Sequence, residues 1–222
     1  MLSFSHAALA DESDDGFNAY NKGDFATALR LWTPIAEQGN ASAQSNLGVM
    51  YAHGQGVAQD YKTAIKWNTL AAEQGYATAQ YNLGSMYSNG EGVAQDYKTA
   101  VKWYTLAAEQ GNASAQSNLG VMYIQGQGIT QDYKTAVKWF TLAAEQGSAS
   151  AQFNLGQMYE KGHGVAQDYI KAHMWLNISS VDGHPTVIII RDTVAKKMTP
   201  AQIEKAQEAA SRCIKQNFKN CD

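Results

Sequence analysis

Apolar residues along most of this chain recur at three- and four-residue spacing, and the whole pattern repeats every 36 residues. Residues 40–75 show one full copy. Ala43, Leu47, Met50 and Tyr51 fall on one face of a helix. Asn40 is placed to cap that helix, and Gly54 stands where a left-handed residue ends it. A polar loop follows at 55–59, and Asp60 opens a second helix as its cap. Ala64, Trp67 and Ala71 form the second apolar face, and Gly75 closes the unit. The pattern therefore predicts a helical hairpin.

The triplet Asn-Leu-Gly begins at Asn46, Asn82, Asn118 and Asn154, which fixes the period and defines copies at 40–75, 76–111, 112–147 and 148–183. Residues 14–39 form a shortened copy in which Gly23-Asp24-Phe25 joins the two helices directly. Gly48 lies inside a helix at a cost of about 1 kcal/mol relative to Ala. It recurs as Gly84, Gly120 and Gly156, which predicts helices packed too closely there for a side chain. One hairpin cannot bury its own apolar face, so neighbours must stack into a continuous core. The expected fold class is all-α, a solenoid of stacked helix-turn-helix repeats. It fills one repeat domain over 11–222, with capping helices at 184–222.

Leu47, Gly48, Tyr51, Gly54, Gly56, Asp60, Ala64, Trp67, Ala71, Ala72 and Gly75 recur 36 and 72 residues later. This set resembles the Sel1-like repeat family, relatives of the tetratricopeptide repeats, whose own period is 34. The resemblance spans roughly 14–218. It implies a right-handed α-solenoid and an adaptor role in protein assembly. Residues 194–203 also resemble C-terminal segments common in that family.

Both ends depart from the repeat. The run 187–190, Val-Ile-Ile-Ile, suits a strand or a buried helix, and its register favours a helix. Thr199-Pro200-Ala201-Gln202 carries a helix-start signature, and the helix from Pro200 to about Gln216 should close the stack. At the other end, Ala8-Leu9-Ala10 has the small-x-small form of a signal-peptidase site before an acidic stretch. Residues 1–10 read as a signal-peptide remnant or a disordered leader. The first reading implies a periplasmic or secreted protein. The two cysteines, Cys213 and Cys221, would lie about 12 Å apart in an unbroken helix, too far to bond. They can pair only if the helix ends near Asn217 and the tail turns back. Their spacing resembles the cysteine pairs of the cysteine-rich Sel1-like proteins, and an exported chain favours the bond over two free thiols.

Composition narrows the function classes. The net charge is −3, so no clustered basic face for nucleic acid is indicated. No apolar run approaches the roughly 18 residues of a membrane span. The Gly-x-Gly loops lack the preceding strand of a dinucleotide site and read as turns. His6, His53, His163, His173 and His184 form no metal-type pair, so no metal or cofactor is expected, though His53 and His163 lie near loops where they could meet a partner. Trp67, Trp103, Trp139 and Trp175 share one register position. They read as plugs between hairpins rather than a ladder for sugars or bases. Asn-x-Ser occurs at Asn40, Asn112 and Asn177; helix capping accounts for the first two. Neither Ser-x-x-Lys nor Gly-x-Ser-x-Gly is present. No catalytic residue is assigned. The alternative to a binding scaffold is a cell-envelope hydrolase or β-lactam-binding protein, which rests only on resemblance to the cysteine-rich members.

Differences among the copies indicate where a partner could bind. Ser45/Tyr81/Ser117/Phe153, Val49/Ser85/Val121/Gln157 and Ala52/Ser88/Ile124/Glu160 vary at spacings of four and seven, so they share one face of the first helices. First helices line the concave surface in stacked helical repeats. The expected contacts with a protein or peptide are Tyr81, Ser85, Ile124, Phe153, Gln157 and Glu160. The competing reading of this strip is tolerated drift on a solvated face.

Overall fold

The computed structural model describes residues 6–181, 183–219 and 221. Residues 1–5, which include part of the expected leader, lie outside them. Among the described residues there are twelve helices and no strand. The chain divides into two compact units, Met1–Gln110 and Gly111–Asp222.

The first unit contains α1 (His6–Asn21), α2 (Phe25–Glu37), α3 (Ala41–His53), α4 (Tyr61–Glu73), α5 (Ala77–Asn89) and α6 (Tyr97–Glu109). These pair as three hairpins, and α2 packs on α3 and α4 on α5, so the hairpins stack in sequence order. The second unit contains α7 (Ala113–Gln125), α8 (Tyr133–Ala144), α9 (Ala149–Lys161), α10 (Tyr169–Ser179), α11 (Pro185–Ala195) and α12 (Pro200–Lys215). Here α7–α8 and α9–α10 are hairpins, α8 packs on α9, and both α11 and α12 pack on α10. The run 187–190 is helical, within α11.

Each hairpin is locked by its mid-helix glycine. A Cβ on Gly84 would lie 2.6 Å from the Tyr104 ring, and one on Gly120 would lie 2.7 Å from the Phe140 ring. On Gly156 it would meet Leu176 at 2.8 Å. In the same way Gly48 receives Asn68, and Gly16 in the shortened copy receives Trp32. The glycine's helix-propensity cost is offset by the side chain it lets in, since Tyr104, Phe140 and Leu176 are all buried.

Buried glutamines link one hairpin to the next. Gln44 Nε2 donates to the Ala36 carbonyl (3.0 Å) at the end of α2, while its Oε1 accepts from Gln74 Nε2 (2.8 Å) at the end of α4. Gln80 repeats this with Ala72 and Gln110. In the second unit Gln146 donates to Gln116, and Gln152 to the Ala144 carbonyl. Each amide adds a second donor to a helix-end carbonyl that already accepts from Gly39, Gly75 or Gly147, so the buried amide is itself satisfied.

The helix ends follow the sequence signals. Asn40 Oδ1 accepts from the Ala43 N–H at 2.9 Å, and Asp60 Oδ1 from the Lys62 and Thr63 N–H groups. Gly54 ends α3 at φ 66°. The second loop glycine serves close approach: a Cβ on Gly92 would stand 2.6 Å from Cβ of Tyr61 in the preceding hairpin. Thr199 and Gln202 form a reciprocal capping box at the start of α12.

Beyond α12 the chain reverses. The Phe218 N–H bonds the Cys213 carbonyl and the Asn217 N–H bonds that of Ile214, the paired bonds of a Schellman turn. Asn217 and Phe218 adopt φ of 50° and 63°. This reversal brings the Cα atoms of Cys213 and Cys221 to 4.9 Å, and the two are disulfide-bonded. Phe218 packs against the core of the second unit beside Gly147.

Candidate partner-binding surface

The proposed contact strip falls on α5 in the first unit and on α7 and α9 in the second. In the first unit Tyr81 and Ser85 are half-buried. The Tyr81 ring lies 5.9 Å from that of Tyr104. Tyr81 and Ser85 line an open cavity of about 260 Å³, together with Asn68, Asn82, His53, Glu91 and the apolar Val49, Ala52 and Met86. At its base Asn68 is 1 % exposed. Its Nδ2 donates to the Ala64 carbonyl and its Oδ1 accepts from Asn82 Nδ2 at 3.2 Å. At the rim, Asn89 Nδ2 holds the Glu91 carboxylate at 3.1 Å.

In the second unit Phe153 is half-buried and lines an apolar hollow of about 400 Å³ with His184, Thr186 and Val187. Ile124 packs on the core around Phe140. Gln157 accepts from Lys161 Nζ at 3.5 Å. Glu160 forms a 2.8 Å ion pair with Lys197, whose ammonium is held protonated above its usual range by that hydrogen bond and charge. Glu160 thus secures the segment between α11 and α12 as well as sitting on the strip.

Variation among copies is not the same as exposure. Ser45 and Ser117, two copies of one variable position, are buried. Position 68/104/140/176 varies as Asn, Tyr, Phe and Leu, and all four are buried. That position was not singled out from sequence because its variability masks a core role. Its signal was its fixed offset of 20 from the invariant glycine, as in Gly84 and Tyr104.

Other conspicuous residues have structural work. Trp103 packs on the cluster of Ala71, Ala72, Ala79 and Leu83, and Trp175 is buried in the core of the second unit. His163 stacks on Tyr133 at 4.7 Å. His173 replaces the aliphatic residue of earlier copies and is 3 % exposed. Burial pushes its pKa below 6.5, and the nearby Arg191 charge adds to that, with Asp192 opposing. The capping carboxylates of Asp60, Asp96 and Asp132 are held below their usual range, first by the hydroxyls of Thr63, Thr99 and Thr135. Asn177 accepts from Arg191 at 3.4 Å. No helix of the described residues is long and apolar enough to cross a membrane.

Helical hairpins locked through a glycine and stacked in order through buried glutamines define a helical-repeat protein of the tetratricopeptide-related class. The model of the Sel1 repeat matches residues 41–76, 77–112, 113–148 and 149–180, and the chain belongs to the Sel1 repeat family. A Sel1 repeat protein from Oxalobacter formigenes is similar in structure, with a TM-score of 0.72 and 30% identity over 93% of this chain and 77% of that one. A protective antigen of uropathogenic Escherichia coli is 29% identical, with a TM-score of 0.59 over 96% of this chain and 54% of that one. An immunity protein of Pseudomonas aeruginosa, at 21% identity and a TM-score of 0.53, covering 94% of this chain and 84% of that one, shares the fold. No curated protein matches the chain. Sel1 repeat proteins typically mediate protein–protein interactions and are generally non-catalytic.

Proposed function

We propose that this protein is a non-catalytic scaffold of the cell envelope that binds a protein or peptide through its first-of-pair helices. The observation that carries the reading is that Tyr81 and Ser85 in one unit, and Phe153 in the other, each border an open hollow in their own unit. Half-buried aromatics beside a hollow are suited to act as anchors for a partner, because they are already rigid and partly desolvated. Ile124, Gln157 and Glu160 complete the proposed contacts of the second unit. A periplasmic or secreted location is part of the proposal. The Cys213–Cys221 disulfide supports it, since such bonds persist in oxidising compartments. Nothing in the relatives favours the hydrolytic alternative.

The test is a Tyr81→Ala, Phe153→Ala double variant used as bait in affinity capture from cell envelopes. With unchanged helical circular dichroism, it should lose the partners that the native protein retains. Capture of the same partners by the double variant would overturn the proposal.

A further inference from the structure

Segments 40–75 and 112–147 differ only at Ala52/Ile124, His53/Gln125, Val57/Ile129, Ala58/Thr130, Ile65/Val137 and Asn68/Phe140. Three of these six, Ala52, His53 and Asn68, line the cavity of the first unit. The divergence of an otherwise duplicated hairpin is thus concentrated on one cavity. There a polar amide takes the buried place that an aromatic ring holds in the later copy.

Acceptor oxygens predominate among the polar groups of the cavity, beside the His53 ring, the Ser85 hydroxyl and the apolar Val49, Ala52 and Met86. Asn68 Nδ2 directs its two hydrogens at the Ala64 carbonyl and the Met86 sulfur, and Asn82 Nδ2 gives one of its two to Asn68 Oδ1. What the two amides still offer is mainly oxygen, the second lone pair of Asn68 Oδ1 and all of Asn82 Oδ1, against one further N–H on Asn82. Glu91 adds a carboxylate, the only acidic side chain of the lining, and Tyr81 adds a ring. No lysine or arginine lines it. At about 260 Å³ the cavity is smaller than the roughly 300–1,000 Å³ of sites for drug-sized molecules, so it suits a single side chain. A planar group with several donors, positive charge and an affinity for aromatic faces matches such a wall of acceptors.

We infer that this cavity is a socket for an arginine guanidinium presented by the protein partner. The inference rests on the scaffold reading and names the chemistry of one of its contacts. Guanidinium N–H groups would donate to Asn68 Oδ1, Asn82 Oδ1 and the Glu91 carboxylate, with Tyr81 alongside. Asn89 holds Glu91 in place as a positioning residue.

The experiment titrates the full chain with the capped tripeptide acetyl-Gly-Arg-Gly-amide and follows the side-chain amide signals of Asn68 and Asn82 by heteronuclear NMR. Controls carry citrulline or lysine in place of arginine. Saturable shifts are expected, with a dissociation constant on the order of 1 mM, and weaker binding by about tenfold for either control. Asn68→Phe installs the side chain found at 140 and should abolish the binding. Glu91→Gln leaves the interior untouched and should weaken it by about tenfold. If Asn68→Phe fails to fold, Glu91→Gln decides. Non-saturable shifts, equal binding of citrulline or lysine, or native affinity in Glu91→Gln or in folded Asn68→Phe would each overturn the socket. Capture by the Tyr81→Ala, Phe153→Ala variant is read separately. A failed socket with lost capture therefore leaves the scaffold standing, and retained capture removes both.

Discussion

Hairpins α3–α4 and α7–α8 are near-duplicates that treat the same buried position in opposite ways. In α7–α8 the glycine socket at Gly120 receives Phe140, a fully buried ring. In α3–α4 the socket at Gly48 receives Asn68, which is equally buried but tied into a chain of hydrogen bonds with Ala64 and Asn82. One hairpin uses the position for packing alone. The other gives up apolar burial there and has an open cavity of mixed lining beside it. A fold built from copies can keep its scaffold positions and still specialise one copy, provided the polar group brought inside is satisfied.

The comparison is tested most severely by exchanging the two residues. Phe140→Asn removes a buried ring and introduces an amide where Asn154, the counterpart of Asn82, donates its Nδ2 to the Ser150 carbonyl instead, at a cost of about 4 kcal/mol. Its melting midpoint should fall by on the order of 10 °C. Asn68→Phe should change stability by less than about 1 kcal/mol, because the socket already accepts a ring in other copies. Equal losses in both variants, seen in parallel thermal melts, would erase the distinction between the hairpins.

A loss slightly smaller than that of Phe140→Asn is expected where the socket itself is filled. Gly84→Val places a Cβ against the Tyr104 ring and should cost about 3 kcal/mol through overpacking. An unchanged melting curve would show that the glycine is not required for close packing.

The smallest effect is acid sensitivity at His173, where earlier copies carry Ile65, Val101 and Val137. The folded protein binds the ring's proton less readily than the unfolded chain does, since the folded pKa lies below 6.5. Stability is therefore undiminished above pH 6.5 and declines as the pH falls below it, levelling off under the folded pKa. Denaturant melts across that window should show the decline in the native protein and lose it in His173→Val. The same slope in both would assign it to other groups.

Much of this was legible in the sequence because repetition amplifies it. The caps at Asn40 and Asp60, the stops at Gly54 and Gly75 and the helix start at Thr199 each rest on local backbone chemistry that one residue decides. Gly84 announced a close approach, although not its partner Tyr104, because a contact between helices has no local signature. The candidate site was legible only in part. Tyr81 and Phe153 stood out by varying, but they are half-buried rather than fully exposed. The burial of Asn68 has no signal in the sequence, because a polar residue at a variable position reads as surface until its neighbours are known. The role of Glu160 in holding Lys197 was equally out of reach, since the two lie 37 positions apart.

The buried glutamines give the stack a direction. Within each unit a glutamine of one hairpin donates to a helix-end carbonyl of the hairpin before it, as Gln44 with Ala36, Gln80 with Ala72 and Gln152 with Ala144 show. A gene encoding such a chain can gain or lose a whole hairpin with these glutamine junctions still matched, whereas a cut at any other interval strands the buried donor. The 36-residue period is then the unit of inheritance as well as of structure, and a single copy can drift toward a new ligand while its neighbours preserve the template from which it came.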